Sequence, residues 1–192
     1  LAAMTRRVAA ASSLGEFFLA SDSVIPTFSG WESMRHILAQ FQEAEVEAFC
    51  AVGYTIGGMI IFPSNRVDGR QTINGARGFT RRIADRFDLT LECIRRYYVA
   101  APSPLGETLA RYADFFALFG DLRGYVDFFL LQDLVDAFTG EIRFFLPFDD
   151  FNGPAVPQDV DAYRAYRSRS IEFVSARNRR IADFADTFLV PG

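Results

Sequence analysis

Three carboxylates and a run of arginines share one stretch of this chain. Asp85, Asp88 and Glu92 stand at three- and four-residue spacing, so a helix would carry them on one face. There they suit a divalent metal ion or general acid and base work. Arg82, Arg86, Arg95 and Arg96 are interleaved with them, and Glu92 with Arg96 is an ordinary i, i+4 helix pair. The competing reading is therefore a salt-bridge lattice in which every carboxylate is neutralised.

Just upstream lies Thr72 to Gly78, TINGARG. Read as a loop entering a helix, it offers backbone N–H groups, Asn74 and Arg77 to a phosphate or carboxylate. It lacks the GxxxxGK of a Walker loop. A plain turn needing Gly75 and Gly78 for their backbone angles accounts for the same letters. Combined with Arg86, Arg95 and Arg96, and with Arg177 or Asn178 of the last helical segment as a facing wall, the stretch predicts an Arg-lined cleft. Arginine suits it because its planar fork grips an anion in two places.

Two function classes follow. The leading expectation is a binding or regulatory protein whose cleft, built from Asn74, Arg77, Arg86, Arg95, Arg96, Arg177 and Asn178, takes a small anionic ligand or an acidic partner segment. The alternative is a metal-dependent hydrolase or phosphoryl-transfer enzyme using Asp85, Asp88 and Glu92. Carboxylates facing a common cavity favour the enzyme; carboxylates consumed by arginines favour the binder. Outside that alternative no metal site is expected, and nothing names a cofactor.

Other polar residues read more simply. Gln132 and Asp133 interrupt an apolar string and need partners, for which Arg95, Arg96 or Asn178 are the candidates. Asp149 and Asp150 read as a turn. The sole histidine, His36, stands in MRHILAQ without a nucleophile nearby, which gives a Ser-His-Asp or Cys-His mechanism no support. No HExxH, CxxC, GxSxG or GxGxxG occurs, so zincin, thioredoxin-like, hydrolase-elbow and dinucleotide-fold readings have no basis.

Charge is unevenly spread. All 20 basic residues are Arg, and the net charge is −4. Arg77 to Tyr98 holds six Arg against three acids, and Val160 to Ile181 holds six against Asp161 and Glu172. Two basic segments in an acidic chain predict a confined anion site and argue against general nucleic-acid binding.

The elements that must position these groups are legible by period. Leu14 to Phe28 reads as a short strand limited by Pro26. Trp31, Met34, Leu38, Phe41, Ala48 and Phe49 predict a helix from about Ser29 to Gly53, bent near Gln42. Tyr54 to Phe62, YTIGGMIIF, predicts a buried strand stopped by Pro63. Ser64 to Gly78 reads as a polar loop with Asp68-Gly69 and Asn74-Gly75 turns. From Thr80, the series Ile83, Phe87, Leu91, Ile94 and Tyr98 predicts a strong amphipathic helix. Ser103 and Pro104 predict a capped start for a helix through Leu109, Tyr112, Phe116 and Phe119, ended by Gly120. Tyr125 to Val135 predicts a central helix, with a buried strand as the alternative its period leaves open, Glu141 to Phe148 a strand, and Pro157 to Phe188 a final helix with Tyr163, Tyr166, Ile171, Val174 and Ile181 inward. Helices outnumber strands, so the expected fold is helix-rich α+β, a small sheet packed against a helical body. No linker or repeat divides the 192 residues, which predicts one domain. Phe87, Leu91, Ile94, Phe116, Phe129 and Ile171 are expected in its core.

No apolar run reaches bilayer length, and Leu1 to Ala11 lacks the apolar region of a signal peptide. Cys50 and Cys93 read as buried reduced thiols. These features predict a soluble cytoplasmic protein. Leu1 is not Met, which leads to the expectation of native residues upstream.

The strings GYTIGGMIIFPSNRV, TINGARG, IADRFDLTLECIRRYY, DFFALF, YVDFFLLQDLV, FLPFDDF and RNRRI, in that order between Leu14 and Ile181, resemble a family of bacterial proteins carried as a domain of unknown function. The resemblance implies a soluble bacterial protein with no assigned reaction, cofactor or catalytic residue to carry over. It also implies a start shorter than the family's.

Overall fold

Glu16–Ser23 and Met59–Pro63 supply the two main strands of the sheet. In the second, Ile60 and Phe62 are buried and Ile61 between them is exposed, the two-residue alternation of a sheet with one face on the core. The computed structural model describes residues 7–9, 16–25 and 28–189. In chain order the strands are β1 (Arg7–Ala9), β2 (Glu16–Ser23) and β3 (Met59–Pro63), forming an antiparallel sheet of order β1-β2-β3. Leu19 faces Pro63 and Asp22 faces Ile60. Leu14 and Pro26, and all of the Leu1–Ala11 stretch except Arg7–Ala9, lie outside the described residues.

The bent first helix is three pieces, α1 (Phe28–Ser33), α2 (Arg35–Leu38) and α3 (Glu43–Gly53). The strand expected from Tyr54 starts only at Met59, because Ile56–Gly58 forms a 3-10 turn. Close packing requires its glycines: a Cβ on Gly57 would lie 2.6 Å from the Val174 carbonyl, and one on Gly58 2.2 Å from that of Gly53.

The expected loop TINGARG is itself mostly helix, α4 (Ile73–Phe79), whose start is held by Thr72 Oγ1 accepting from the Gly75 N–H at 3.2 Å. The helix expected from Thr80 begins later, as α5 (Phe87–Tyr98). Residues 80–86 form tight turns, with Ala84 and Asp85 both left-handed at φ 45° and 62°. The helix expected from Pro104 is divided into α6 (Gly106–Ala110) and α7 (Ala113–Ala117), and Leu105, not Ser103, occupies the cap. Helix α8 (Leu122–Phe128), capped by Asp121, stops well short of Val135 because the chain turns through left-handed Leu130 into a 3-10 turn at Gln132–Leu134. Glu141 to Phe148 is not a strand. It makes one isolated bridge, Ile142 to Val135, and its backbone is claimed by side chains: Asp88 takes the Phe145 N–H and Arg169 reaches the Phe144 and Phe145 carbonyls. The long α9 (Val160–Leu189) closes the chain.

The result is helix-rich α+β. Phe87, Leu91, Ile94, Phe116 and Phe129 lie in one hydrophobic core with Tyr125, Tyr163 and Tyr166, while Ile171 packs half-buried against it. Cys50 and Cys93 are free thiols. No helix among the described residues is long and apolar enough to cross a membrane.

Candidate functional site

Arg77, on α4, is closed to solvent. Its guanidinium donates to Thr90 Oγ1 at 2.9 Å, to the Ser23 carbonyl at 3.0 Å and to the Asp85 carbonyl at 2.9 Å, and pairs with Asp22 Oδ2. Asp85 Oδ1 lies 3.5 Å away, and the rings of Phe62 and Phe87 flank the charge. One cation thus serves two carboxylates. Burial pushes the Asp22 carboxyl above its ordinary value; the attraction of Arg77 opposes the shift and the nearby charge of Asp85 adds to it.

Arg86 is equally buried and forms a two-pronged pair with Asp88, whose other partner is the Phe145 N–H at 2.9 Å. Its remaining Nη1 donates to the Ala155 carbonyl at 2.9 Å. Glu92 is gripped by both remaining arginines of α5: Arg95 donates through Nε and Nη2 at 2.7 and 2.8 Å, and Arg96 through Nε at 2.7 Å. Arg96 continues to Asp150 and to the Pro102 carbonyl. Asp85, Asp88 and Glu92 therefore point to three different sets of arginines. No group of three or more His, Cys, Asp or Glu among the described residues is placed to hold a metal ion.

Arg177 and Asn178 come together at Gly57. Asn178 accepts from the Gly57 N–H at 2.8 Å and donates to Thr55 Oγ1 at 2.8 Å. Arg177 donates to the carbonyls of Phe129, Gly57 and Met59. Asp133, expected to seek Arg95, Arg96 or Asn178, instead forms a two-pronged pair with Arg180 at 2.9 and 3.0 Å, which holds its carboxyl below the ordinary range. Gln132 turns to Asp127.

Asn74 belongs to a different neighbourhood. Arg111 donates to the Gln71 carbonyl at 2.9 Å and Tyr112 to the Asn65 carbonyl at 2.9 Å, so the α6–α7 junction clamps both ends of the 65–71 loop. Its tip turns through Asp68 and Gly69, at φ 53° and 69°, with the Arg70 N–H bonded to the Val67 carbonyl. Asn65 Oδ1 on this loop, Arg111 Nε beneath it and Asn74 Oδ1 on α4 are buried without a hydrogen-bond partner. Arg66, Arg70, Arg81 and Arg82 are exposed. Among the described residues, none of these four nor Arg111 has an ion pair. Arg66 and Arg70 project from the clamped loop, and a rigid loop presents charge at little entropic cost.

Sequence reasoning missed Asp22, Tyr125 and Arg111. Asp22 had a signal, as a lone carboxylate near the end of an apolar strand string. Arg111 falls inside a helical apolar pattern and carries none.

The chain belongs to a family of unknown function, DUF6994, whose model matches residues 2–181. No curated protein and no solved structure matches the chain.

Proposed function

We propose, for this member of a family that assigns no reaction, a binding or regulatory role in which the clamped loop 65–71 and its surroundings receive a phosphate- or carboxylate-bearing ligand or an acidic segment of a partner. The observation that carries this reading is the contrast between two sets of arginines. Arg77, Arg86, Arg95 and Arg96 are taken up by internal carboxylates. Arg66, Arg70 and Arg111 have no such partner, and Asn65 Oδ1 on the same loop and Arg111 Nε are buried polar atoms left unsatisfied. Guanidinium groups without counter-charges suit an anion, which accepts from them; the orphaned Asn65 and Asn74 oxygens are acceptors and suit a hydroxyl or N–H elsewhere on the same ligand.

The carboxylates of the enzyme alternative are each committed to arginine, which supports the binder over a metal-dependent hydrolase. Two free thiols are consistent with a reducing bacterial cytoplasm as the setting.

The test is calorimetry and thermal shift of the native protein with inorganic phosphate, nucleotides, dicarboxylates and an acidic peptide, against the double variant Arg66→Ala/Arg70→Ala. Binding of at least one class tighter than about 1 mM, or about 4 kcal/mol, is expected, weakened about tenfold or more in the variant. No binding tighter than that limit, or equal binding by the variant, rejects the reading.

A further inference from the structure

Two pairs of arginines bracket α4. Arg66 and Arg70 stand in the loop that leads into it, Arg81 and Arg82 in the turn that leads out, and all four are exposed. Elsewhere on the surface Arg35, Arg123, Arg143 and Arg164 each have a carboxylate within ion-pair distance. Among the described residues none of the four around α4 has one. Asp68 is the single acid from Ser64 to Ala84, and Arg77, the remaining arginine of that stretch, is turned inward onto Asp22.

Both pairs sit on fixed backbone. Arg111 and Tyr112 clamp the entering loop, and the leaving turn is held where Arg77 donates to the Asp85 carbonyl and the Asp85 N–H to that of Arg77. Between the pairs stands Phe79, the last residue of α4 and 78% exposed. Ile73, Ala76 and Arg77 take the inward face of the helix, which leaves Phe79 outside the core. A phosphate or dicarboxylate held by the arginines would leave that ring in water. An exposed phenylalanine within a basic patch matches a ligand that carries apolar surface together with negative charge.

We infer that the α4 face docks a short acidic segment of another protein, with carboxylates at both ends for the two arginine pairs and an apolar side chain between them on Phe79. This rests on the anion-receiving reading of the 65–71 loop and narrows it to one kind of partner. The spacing sets the length: the seven residues of α4 rise about 10 Å and an extended chain covers about 3.3 Å per residue, so about six to eight residues reach from one pair to the other. Larger polyanions fit less well. The chain carries a net charge of −4, so outside this patch it is the more acidic. A nucleic acid or an anionic bilayer is large enough to meet that acidic surface and be repelled, whereas a short segment touches the patch alone.

The test is fluorescence anisotropy of the full chain with a labelled peptide of about ten residues, glutamates at both ends and a phenylalanine in the centre. Saturable binding that weakens with salt is expected. Phe79→Ser and Arg81→Ala/Arg82→Ala, both at exposed positions, should each weaken it about tenfold. On the native protein, a peptide with serine in place of its phenylalanine should lose about as much, an arm that needs no variant to fold. Phosphate binding, assigned to Arg66 and Arg70, should be unchanged in Phe79→Ser. Peptide binding indifferent to Phe79, to Arg81 and Arg82, or to the peptide's own ring overturns the inference, and leaves the loop reading standing where phosphate still binds. Failure of every anion, the peptide included, removes both. Tighter binding of single-stranded DNA or of phosphatidylserine-containing vesicles than of the peptide also overturns it, because the patch would then serve a different class of polyanion.

Discussion

Asp22 shares the Arg77 guanidinium with Asp85, and one positive charge cannot fully stabilise two buried negative ones. Burial raises the carboxyl of Asp22, and the nearby charge of Asp85 adds to the shift. Between its ordinary value of 3.8 and the raised one, the folded protein holds a proton that the unfolded chain has released. Stability must then fall as pH rises through that window, and be highest below it as far as this group is concerned. Asp22→Asn keeps an acceptor for Arg77 and removes the titration. Urea unfolding from pH 4 to pH 7 should show a downward slope for the native protein that is reduced in the variant; parallel curves would mean that Asp22 titrates normally. Asp133 has the opposite sign. Its two-pronged pair with Arg180 holds it low, so its contribution is present at neutral pH and lost in acid. Being partly exposed, it contributes little.

Short helices position most of the polar groups, and each depends on its ends more than on its length. Helix α4 has only seven residues, too few to persist by propensity alone, yet it delivers Arg77 to β2 and α5. Its first turn relies on Thr72 Oγ1. Thr72→Ala should cost about 1 kcal/mol, measurable as a shift of the denaturation midpoint without a change in slope. An effect below a few tenths would mean that tertiary contacts alone hold α4. At the start of α5, Ala84 and Asp85 adopt left-handed angles, which ordinary side chains disfavour. Arg77 holds that turn by bonding to the Asp85 carbonyl, and the Asp85 N–H bonds back to the Arg77 carbonyl at 3.2 Å. The buried arginine is thus a backbone staple as well as an ion-pair partner.

At the scale of the whole molecule the buried aromatics belong to one hydrophobic core, in which the rings around Phe116 and those around Phe49 and Tyr166 form separate contact sets. Phe116 is fully buried, with its ring 5.1 Å from that of Tyr97, 5.3 Å from Phe115 and 5.9 Å from Tyr125, and its carbonyl accepts from the Tyr98 hydroxyl at 2.8 Å. Phe116→Ala should cost about 3–5 kcal/mol. A loss under about 1 kcal/mol in a denaturant titration would remove Phe116 from the centre of the core. The rings around Phe116 also enclose Tyr125 and, through Phe129, border the corner where Arg177 holds the Phe129 carbonyl.

The order of apolar residues by itself determined the fold class, the α3 and α9 segments, the break near Gln42, the Phe87–Tyr98 helix and most of the core, because burial of a helix stripe or strand face leaves a period that is local in sequence. That arginines would neutralise Asp85, Asp88 and Glu92 was legible for the same reason, but the shared face expected of these carboxylates does not form, because Asp85 lies in the left-handed turn ahead of α5. Other features had no local signature. Whether Glu141 to Phe148 becomes a strand depends on a neighbour to pair with, and Asp88 and Arg169 take its backbone groups instead. The central string Tyr125 to Val135 is apolar nearly all round, so its period could not reveal the turn at Leu130. Which arginine meets which carboxylate was decided only by tertiary structure: Arg77 finds Asp22, 55 residues away in sequence, and Arg180 finds Asp133, 47 away. Sequence spacing ranks near neighbours, while desolvation makes pairing compulsory for whichever charges the fold encloses. That requirement left Arg177 as an enclosed cation without a carboxylate and Arg66 and Arg70 as exposed cations without one.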